Sequence, residues 1–315
     1  MNKKKIDNHN DYIYSIVIPV YQSESTIYKV AQEVLGVIEE YSISAEAVFI
    51  DDGSTDKSWD IISNLALQNK NIKAIKLLKN YGQHNAVICG FINTNSEFVI
   101  TMDDDLQNPP SEIIKLIEGE RDNDLVFGNF KEKMHSLYRR VGSKMIGYLN
   151  YKIFNKPKEL KITNFRLIRR DLIERVLEYN TSYPYIPGLL LMYAKNISSV
   201  EVKHNKRVNG KSNYTTKRII SLVSSLLINY SSYPLRLIGS IGILISIASF
   251  VIGLYYLLNG ILYGSGVQGW TTIVVLVSLL GGFIIILLSV IGEYLSRVLS
   301  HLSGKKIFHI EKIVE

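Results

Sequence analysis

Two long stretches without a single charged side chain, Leu237 to Tyr263 and Trp270 to Gly292, constrain this 315-residue chain more than any other feature. Each reaches the ~20 residues that a helix needs to cross the hydrocarbon core of a bilayer. A buried helical hairpin in a soluble domain is the alternative, but core helices of soluble proteins keep a polar stripe. The connector Gly264-Ser-Gly-Val-Gln-Gly269 carries no Lys or Arg, whereas Lys211, Lys217, Arg218 and Arg236 precede the first stretch and Arg297, Lys305 and Lys306 follow the second. Cationic flanks stay on the cytoplasmic side. The expectation is a membrane hairpin with spans at 235–263 and 269–296, preceded by a cytosolic domain over 1–213 and an interfacial helix region over 214–234. A tail, 297–315, would also be cytosolic. The opening Met-Asn-Lys-Lys-Lys runs into polar residues, so no signal peptide is read there.

The formal charge of +7 points to an anionic partner, a phosphate-rich substrate or an acidic leaflet. With apolar spans present, a lipid surface is expected and nucleic acid is not. Cys89 is the only cysteine, which excludes an intramolecular disulfide and any multi-cysteine zinc site.

Ahead of the apolar stretches the pattern changes. Tyr14-Ser-Ile-Val-Ile-Pro-Val20 reads as a buried strand, and Glu24 to Glu40 then has helical spacing. Ala47 to Ile50, Ile72 to Leu78 and Phe98 to Met102 read as further strands, with helices to about Gln68 and over Gln83 to Ile92 between them. Leu125 to Phe127 adds a strand, and 134–155 and 214–230 add helices; the stretch from about 156 to 210 has no clear period. Strict alternation of strand and helix implies an α/β domain with a mainly parallel sheet, whose ligands bind beyond the carboxyl ends of the strands.

Two acidic clusters stand at such ends. In Asp103-Asp104-Asp105-Leu106-Gln107-Asn108-Pro109-Pro110, extended backbone would put Asp103 and Asp105 on one face and Asp104 on the other, with Gln107 continuing the first. Two hard oxygen ligands at that spacing suit a divalent cation, Mg2+ or Mn2+, that keeps open positions for phosphate oxygens. A solvated acidic turn is the plainer alternative. Asp51-Asp52-Gly53-Ser54-Thr55-Asp56 serves equally as a strand-to-helix turn or as a nucleotide contact. No Gly-x-Gly-x-x-Gly follows the first strand, which disfavours a dinucleotide-dependent oxidoreductase.

Taken together, Val17-Ile-Pro-Val-Tyr21, Asp51 to Asp56, Asn80-Tyr-Gly-Gln-His-Asn-Ala86, Asp103 to Pro110, Pro234-Leu-Arg236 and Ile291-Gly-Glu-Tyr-Leu-Ser-Arg297 resemble the inverting polyprenyl-phosphate glycosyltransferases. These have a GT-A domain, and the match is to the bacterial undecaprenyl-phosphate sugar transferases of the aminoarabinose and glucosyl type. The resemblance implies a nucleotide pocket lined by Pro19, Tyr21, Glu24, Asp51, Asp52, Asp103 and Asp104, and a cation and diphosphate held by Asp103, Asp105 and Gln107. Glu24 stands in Gln22-Ser23-Glu24, where the family often has Asn-Glu directly after the Tyr.

The same resemblance implies an acceptor phosphate site built from Arg139, Arg140, Ser143, Arg166, Arg207, Lys211 and Ser212, with Arg139 and Arg207 acting beside Asp103 and Asp105 in catalysis. Asn213 departs from the usual Lys. Ile162-Thr-Asn-Phe-Arg166 stands where many relatives have Gly-Asp-Phe-Arg, so Asn164 replaces a carboxylate base. A phosphate monoester with a second pKa of ~6 is ionised at neutral pH and needs no base. The implied reaction is inverting transfer of one sugar from a nucleotide diphosphate sugar, with UDP-glucose as the default donor, to polyprenyl phosphate at the bacterial cytoplasmic membrane. Two alternatives remain: a transferase that extends another lipid-linked glycan, and an idle membrane scaffold that binds nucleotide sugar. Homo-oligomerisation is left open.

Overall fold

The computed structural model describes residues 12–130, 137–179, 181, 183–205, 216–263, 269–302 and 307–315. The chain divides into two units, residues 1–215 with 306–315, and residues 216–305.

The first unit is an eight-stranded sheet flanked by helices. Its elements are β1 (Tyr14–Val20), α1 (Ile27–Glu40), β2 (Ala45–Asp51), α2 (Ser58–Gln68), β3 (Ile72–Leu77), α3 (Gln83–Ile92), β4 (Phe98–Thr101), a 3-10 turn at Pro110–Glu112, α4 (Ile113–Glu118), β5 (Leu125–Asn129), α5 (Leu137–Phe154), β6 (Arg166–Arg169), α6 (Arg170–Glu178), α7 (Ile186–Tyr193), β7 (Ile197–Glu201) and, at the far end of the chain, β8 (Ile310–Val314). The strand order is β7-β5-β6-β4-β1-β2-β3-β8. β1 pairs in parallel with both β2 and β4, β2 with β3, and β5 with β7; β6 and β8 run antiparallel to their neighbours.

The central strands are near-continuous apolar runs because helices cover both faces. From Ile16 to Val20 β1 is buried throughout. On α1 the buried residues are Ile27, Val30, Ala31, Val34, Val37 and Ile38, the stripe a helix presents to a sheet. Each such side chain contributes roughly 1.5–3 kcal/mol when fully buried. Pro19 is tolerated in this central strand because β1 outruns β4: their register ends at Val17 opposite Thr101. The chain passes from β1 to β2 and β3 on one side and then places β4 on the other, so the loops after β1 and β4 diverge at a topological switch point, where open sheets bind ligands.

Of the tail expected over 297–315, residues 297–302 continue α10 and Ile310–Val314 form β8. β8 closes the β3 edge: Leu78 N–H donates to His309 O at 2.9 Å, and Lys73 and Lys76 pair with Glu315 and Glu311 at 3.1 and 3.3 Å.

The second unit holds α8 (Thr216–Tyr230), α9 (Tyr233–Tyr263) and α10 (Trp270–Leu302). Gly242 of α9 lies against the Phe283 ring of α10, where an added Cβ would meet it at 3.1 Å. Arg297 bonds Asn229 and Glu293, and Tyr294 OH donates to Ser231 O at 3.2 Å. Among the described residues one stretch, Leu280–Leu299, is long and apolar enough to cross a membrane, with a mean hydropathy of 1.8; Tyr233–Ile245 is a shorter apolar stretch.

Candidate active site

The loops after β1, β2 and β4 are laced together by side chains. Gln22, at φ +57°, gives its N–H to Ser54 Oγ at 3.1 Å and its side-chain amide to Thr55 Oγ1 at 2.7 Å. Ser23 N–H reaches Ser58 Oγ at 2.9 Å. Glu24 is tied in both directions, its N–H to Asp56 at 3.1 Å and its carboxylate to Lys57 N–H at 3.1 Å. Glu24 thus fastens the β1 loop to the β2 loop. Tyr21 is left half exposed at the mouth.

Asp51 and Asp52 are both buried at the end of β2, and burial raises the pKa of each. Asp51 receives the Ser54 N–H at 3.4 and 3.3 Å. Asp52 receives the N–H groups of Tyr81 and Gly82, one on each oxygen, at 2.7 and 2.8 Å. Its carboxylate fixes the turn that opens α3. Gly53 sits between them at φ +69°, and a Cβ there would meet the Lys79 backbone at 2.5 Å.

The acidic segment after β4 bends rather than extending. Leu106 is buried with φ +57°, a backbone region costly for a bulky residue, and the strict alternation expected to carry Gln107 onto the face of Asp103 is interrupted there. Asp105 Oδ1 instead accepts the Gln107 N–H at 3.1 Å. Asp104 takes the Ser23 hydroxyl and the Tyr21 N–H, the latter at 3.4 Å; burial pushes its pKa up to about 6. Asp103 is held by Gln83 Nε2 at 2.7 Å and Asn164 Nδ2 at 3.2 Å, and burial followed by the Asp105 charge raises its pKa.

Asp103 and Asp105 therefore share one electrostatic field, which a divalent cation would relieve. Among the described residues no group of three or more His, Cys, Asp or Glu side chains surrounds one point. Two carboxylates with further positions filled by a diphosphate fit such an ion.

A recess below Asp103 is lined by Pro19, Gln83, His84, Thr101, Asn164 and Arg166. Arg166, expected at an acceptor phosphate, is 1% exposed on β6; its Nε donates to Thr101 Oγ1 at 3.2 Å, its Nη1 has no partner among the described residues, and burial lowers its pKa to about 10. It serves the recess from within. Burial and the Arg166 charge bring His84 down to about 4, so the ring is neutral; it packs edge-on against Tyr185 at 5.6 Å.

Of the basic residues, Arg139, Arg140 and Ser143 lie on α5, their side chains outside the described residues, as are Arg207, Lys211 and Ser212 altogether. The approaches to both segments are described. His204 stacks on Phe130 with centroids 4.1 Å apart, and Asn205 N–H donates to Gln107 O at 2.7 Å. Phe130, His204 and Asn205 thus lie on the flank of the acidic loop. Sequence reasoning quoted Gln83 and His84 within a motif but gave them no role, and it missed Ser23 and Tyr185; the alternation of strands and helices carries no signal for such cross-loop contacts.

The model of Glycosyl transferase family 2 matches residues 15–177. The undecaprenyl-phosphate 4-deoxy-4-formamido-L-arabinose transferase of Photorhabdus laumondii is 30% identical over 304 residues, covering 95% of this chain and 94% of that protein. That of Shewanella sediminis is 30% identical over 315 residues, covering 98% and 94%. Among solved structures, glucosyl-3-phosphoglycerate synthase from Mycobacterium tuberculosis, in complex with phosphoglyceric acid, superimposes with a TM-score of 0.51 at 16% identity, over 70% of this chain and 80% of that one. That likeness is one of fold, the GT-A arrangement. The relatives are named for a formamidoarabinose, so UDP-glucose as the default donor finds no support. With the family match spanning the whole switch-point site, the chain belongs to glycosyltransferase family 2.

Proposed function

We propose that this chain moves one sugar from a nucleotide diphosphate carrier to a polyprenyl phosphate at the cytoplasmic face of a bacterial membrane. The observation that carries the acceptor class is Asn164. The groups that donate to Asp103 are two amides, Gln83 and Asn164, with the Arg166 guanidinium nearby. Neither an amide nor a guanidinium takes a proton from an alcohol at neutral pH. A phosphate monoester arrives already ionised, whereas a glycan hydroxyl requires a base.

The acceptor oxygen attacks the anomeric carbon as the bond to the diphosphate breaks, its electron pair leaves with the nucleoside diphosphate, and the configuration inverts. Pro19, Tyr21, Asp51 and Asp52 frame the nucleotide side. Asp103 and Asp105 would hold a divalent cation, Mg2+ or Mn2+, which would stabilise charge growing on the leaving diphosphate. Arg139 and Arg207, with Arg140, Ser143, Lys211 and Ser212, meet the lipid phosphate. Arg166, buried in the recess beside Asp103, could still help to hold an anionic group there. Both long apolar helices, α9 and α10, are read as membrane spans with cytoplasmic flanks.

Membranes containing the protein, incubated with undecaprenyl phosphate and a panel of nucleotide sugars, test this by the mass of the lipid product. The formamidoarabinose donor is the first to try, given the relatives' names. A single-sugar polyprenyl phosphate is expected; sugar appearing only on a glycan hydroxyl would refute the acceptor.

A further inference from the structure

The stretch Asn80-Tyr-Gly-Gln-His-Asn-Ala86 stands between the two acidic clusters and touches both. Tyr81 and Gly82 give their N–H groups to Asp52, and the next residue, Gln83, gives its side-chain amide to Asp103 Oδ1 at 2.7 Å. Asn85 Nδ2 closes the turn on Tyr81 O at 2.7 Å. A carboxylate only accepts hydrogen bonds, so the orientation of the Gln83 amide is dictated by Asp103 rather than chosen. Asn164 Nδ2 approaches the same carboxylate at 3.2 and 3.4 Å. Asp103 is thus gripped by amides from α3 and from the approach to β6.

We infer that Gln83 is a positioning residue for the cation and diphosphate: it aims the Asp103 carboxylate, and through the Asp52 clamp it couples that aim to the nucleotide side of the site. Among the described residues, Asn164 is the other hydrogen-bond donor opposing rotation of Asp103. Gln83 is solvent-exposed and adds little to the core, so its loss acts on ligand geometry rather than on folding. The inference rests on the metal role proposed above and is independent of the acceptor.

The test uses the full-length protein in detergent with UDP and no lipid acceptor. Gln83→Met keeps the length and removes the donor. Its affinity for Mn2+, followed by loss of the free-ion electron paramagnetic resonance signal, is expected to fall 10–100-fold, the usual cost of removing a group that orients a metal ligand. Thermal unfolding without Mn2+ should match the parent. In the transfer assay, raising Mn2+ should restore Gln83→Met and fail to restore Asp105→Asn. Parent-like Mn2+ affinity in Gln83→Met, or a parent that binds no Mn2+, overturns the inference. If the Mn2+ result holds while no polyprenyl product forms, only the acceptor assignment falls.

Discussion

Asn164 Nδ2 lies 3.2 and 3.4 Å from the two carboxylate oxygens of Asp103 and donates to them. An amide there attracts Asp103, whereas a carboxylate would repel it. Asn164→Asp should therefore destabilise the cation-free protein by about 1–3 kcal/mol, the cost of a partly buried polar group losing its partner. Mn2+ should recover most of that loss. Denaturant titration with and without Mn2+ checks both parts; equal stability of the two proteins without cation would show that Asp103 is free to turn away.

Gly53 supports a sharper expectation, because its φ is +69° and an added Cβ would lie 2.5 Å from Lys79 C and 2.6 Å from Asn80 N. Those atoms are backbone and cannot swing aside. Gly53→Ala should cost more than the ~1–2 kcal/mol of the left-handed conformation alone. It should also shift the turn that carries Gln83, weakening nucleotide and Mn2+ binding together. Calorimetric unfolding and UDP titration of the variant test this, and a parent-like melting temperature would contradict it.

The strand and helix order up to β4 is legible because each element satisfies a local period. The apolar runs from Ile16 to Val20 and from Val48 to Ile50 mark strands, and α3 occupies the expected Gln83–Ile92. The acidic clusters are legible for the same reason: both follow an apolar run at a strand end. β6 is not, since Arg166–Arg169 has two arginines in four residues and becomes a strand only by lying between β4 and β5. β8 depends on a partner far away in sequence, with Lys76 facing Lys312. Contacts of that kind, and the Gln83–Asp103 bond across the switch point, exist only once the topology is closed.

β8 also makes the sheet edge testable. Its removal would leave β3 as an edge with a row of unpaired N–H and C=O groups, which invites pairing between copies. Deleting residues 309–315 should cost about 2–4 kcal/mol, several backbone bonds at ~0.5–1.5 kcal/mol each, with little from the exposed ion pairs. Self-association should appear by light scattering. A truncated protein that stays monodisperse and as stable as the parent would show that β8 is dispensable to the sheet.

The hairpin reading predicts opposite accessibility on either side of α10. Ser265→Cys should react with an impermeant maleimide added outside the cytoplasmic membrane, and Ser303→Cys should be protected in intact cells. The native Cys89 is buried with its thiol pushed up to about 12, so it contributes no background. Labelling of both introduced cysteines from outside would refute the hairpin.

The acceptor side depends most on charge. A polyprenyl phosphate must bring a dianionic head to the donor while its tail stays in lipid, so its site requires fixed cations reachable from the acidic loop. The Phe130–His204 stack and the Asn205–Gln107 bond lie on that loop's flank, and Arg139 and Arg207 follow Phe130 and Asn205 in the sequence. Arg139 and Arg207 are the members of choice, because guanidinium groups stay charged and grip phosphate oxygens in a fork. Arg139→Ala or Arg207→Ala should raise the KM for polyprenyl phosphate at least 10-fold, about 1.4 kcal/mol and the low end of a charge-assisted bond, while nucleotide-sugar affinity stays unchanged. Lysine at either position should restore only part of the loss, since it keeps the charge and loses the fork. A variant that binds nucleotide sugar weakly but keeps the parent's acceptor KM would move that arginine to the donor side. If neither substitution alters transfer, the phosphate is held by other groups and these segments are solvated surface.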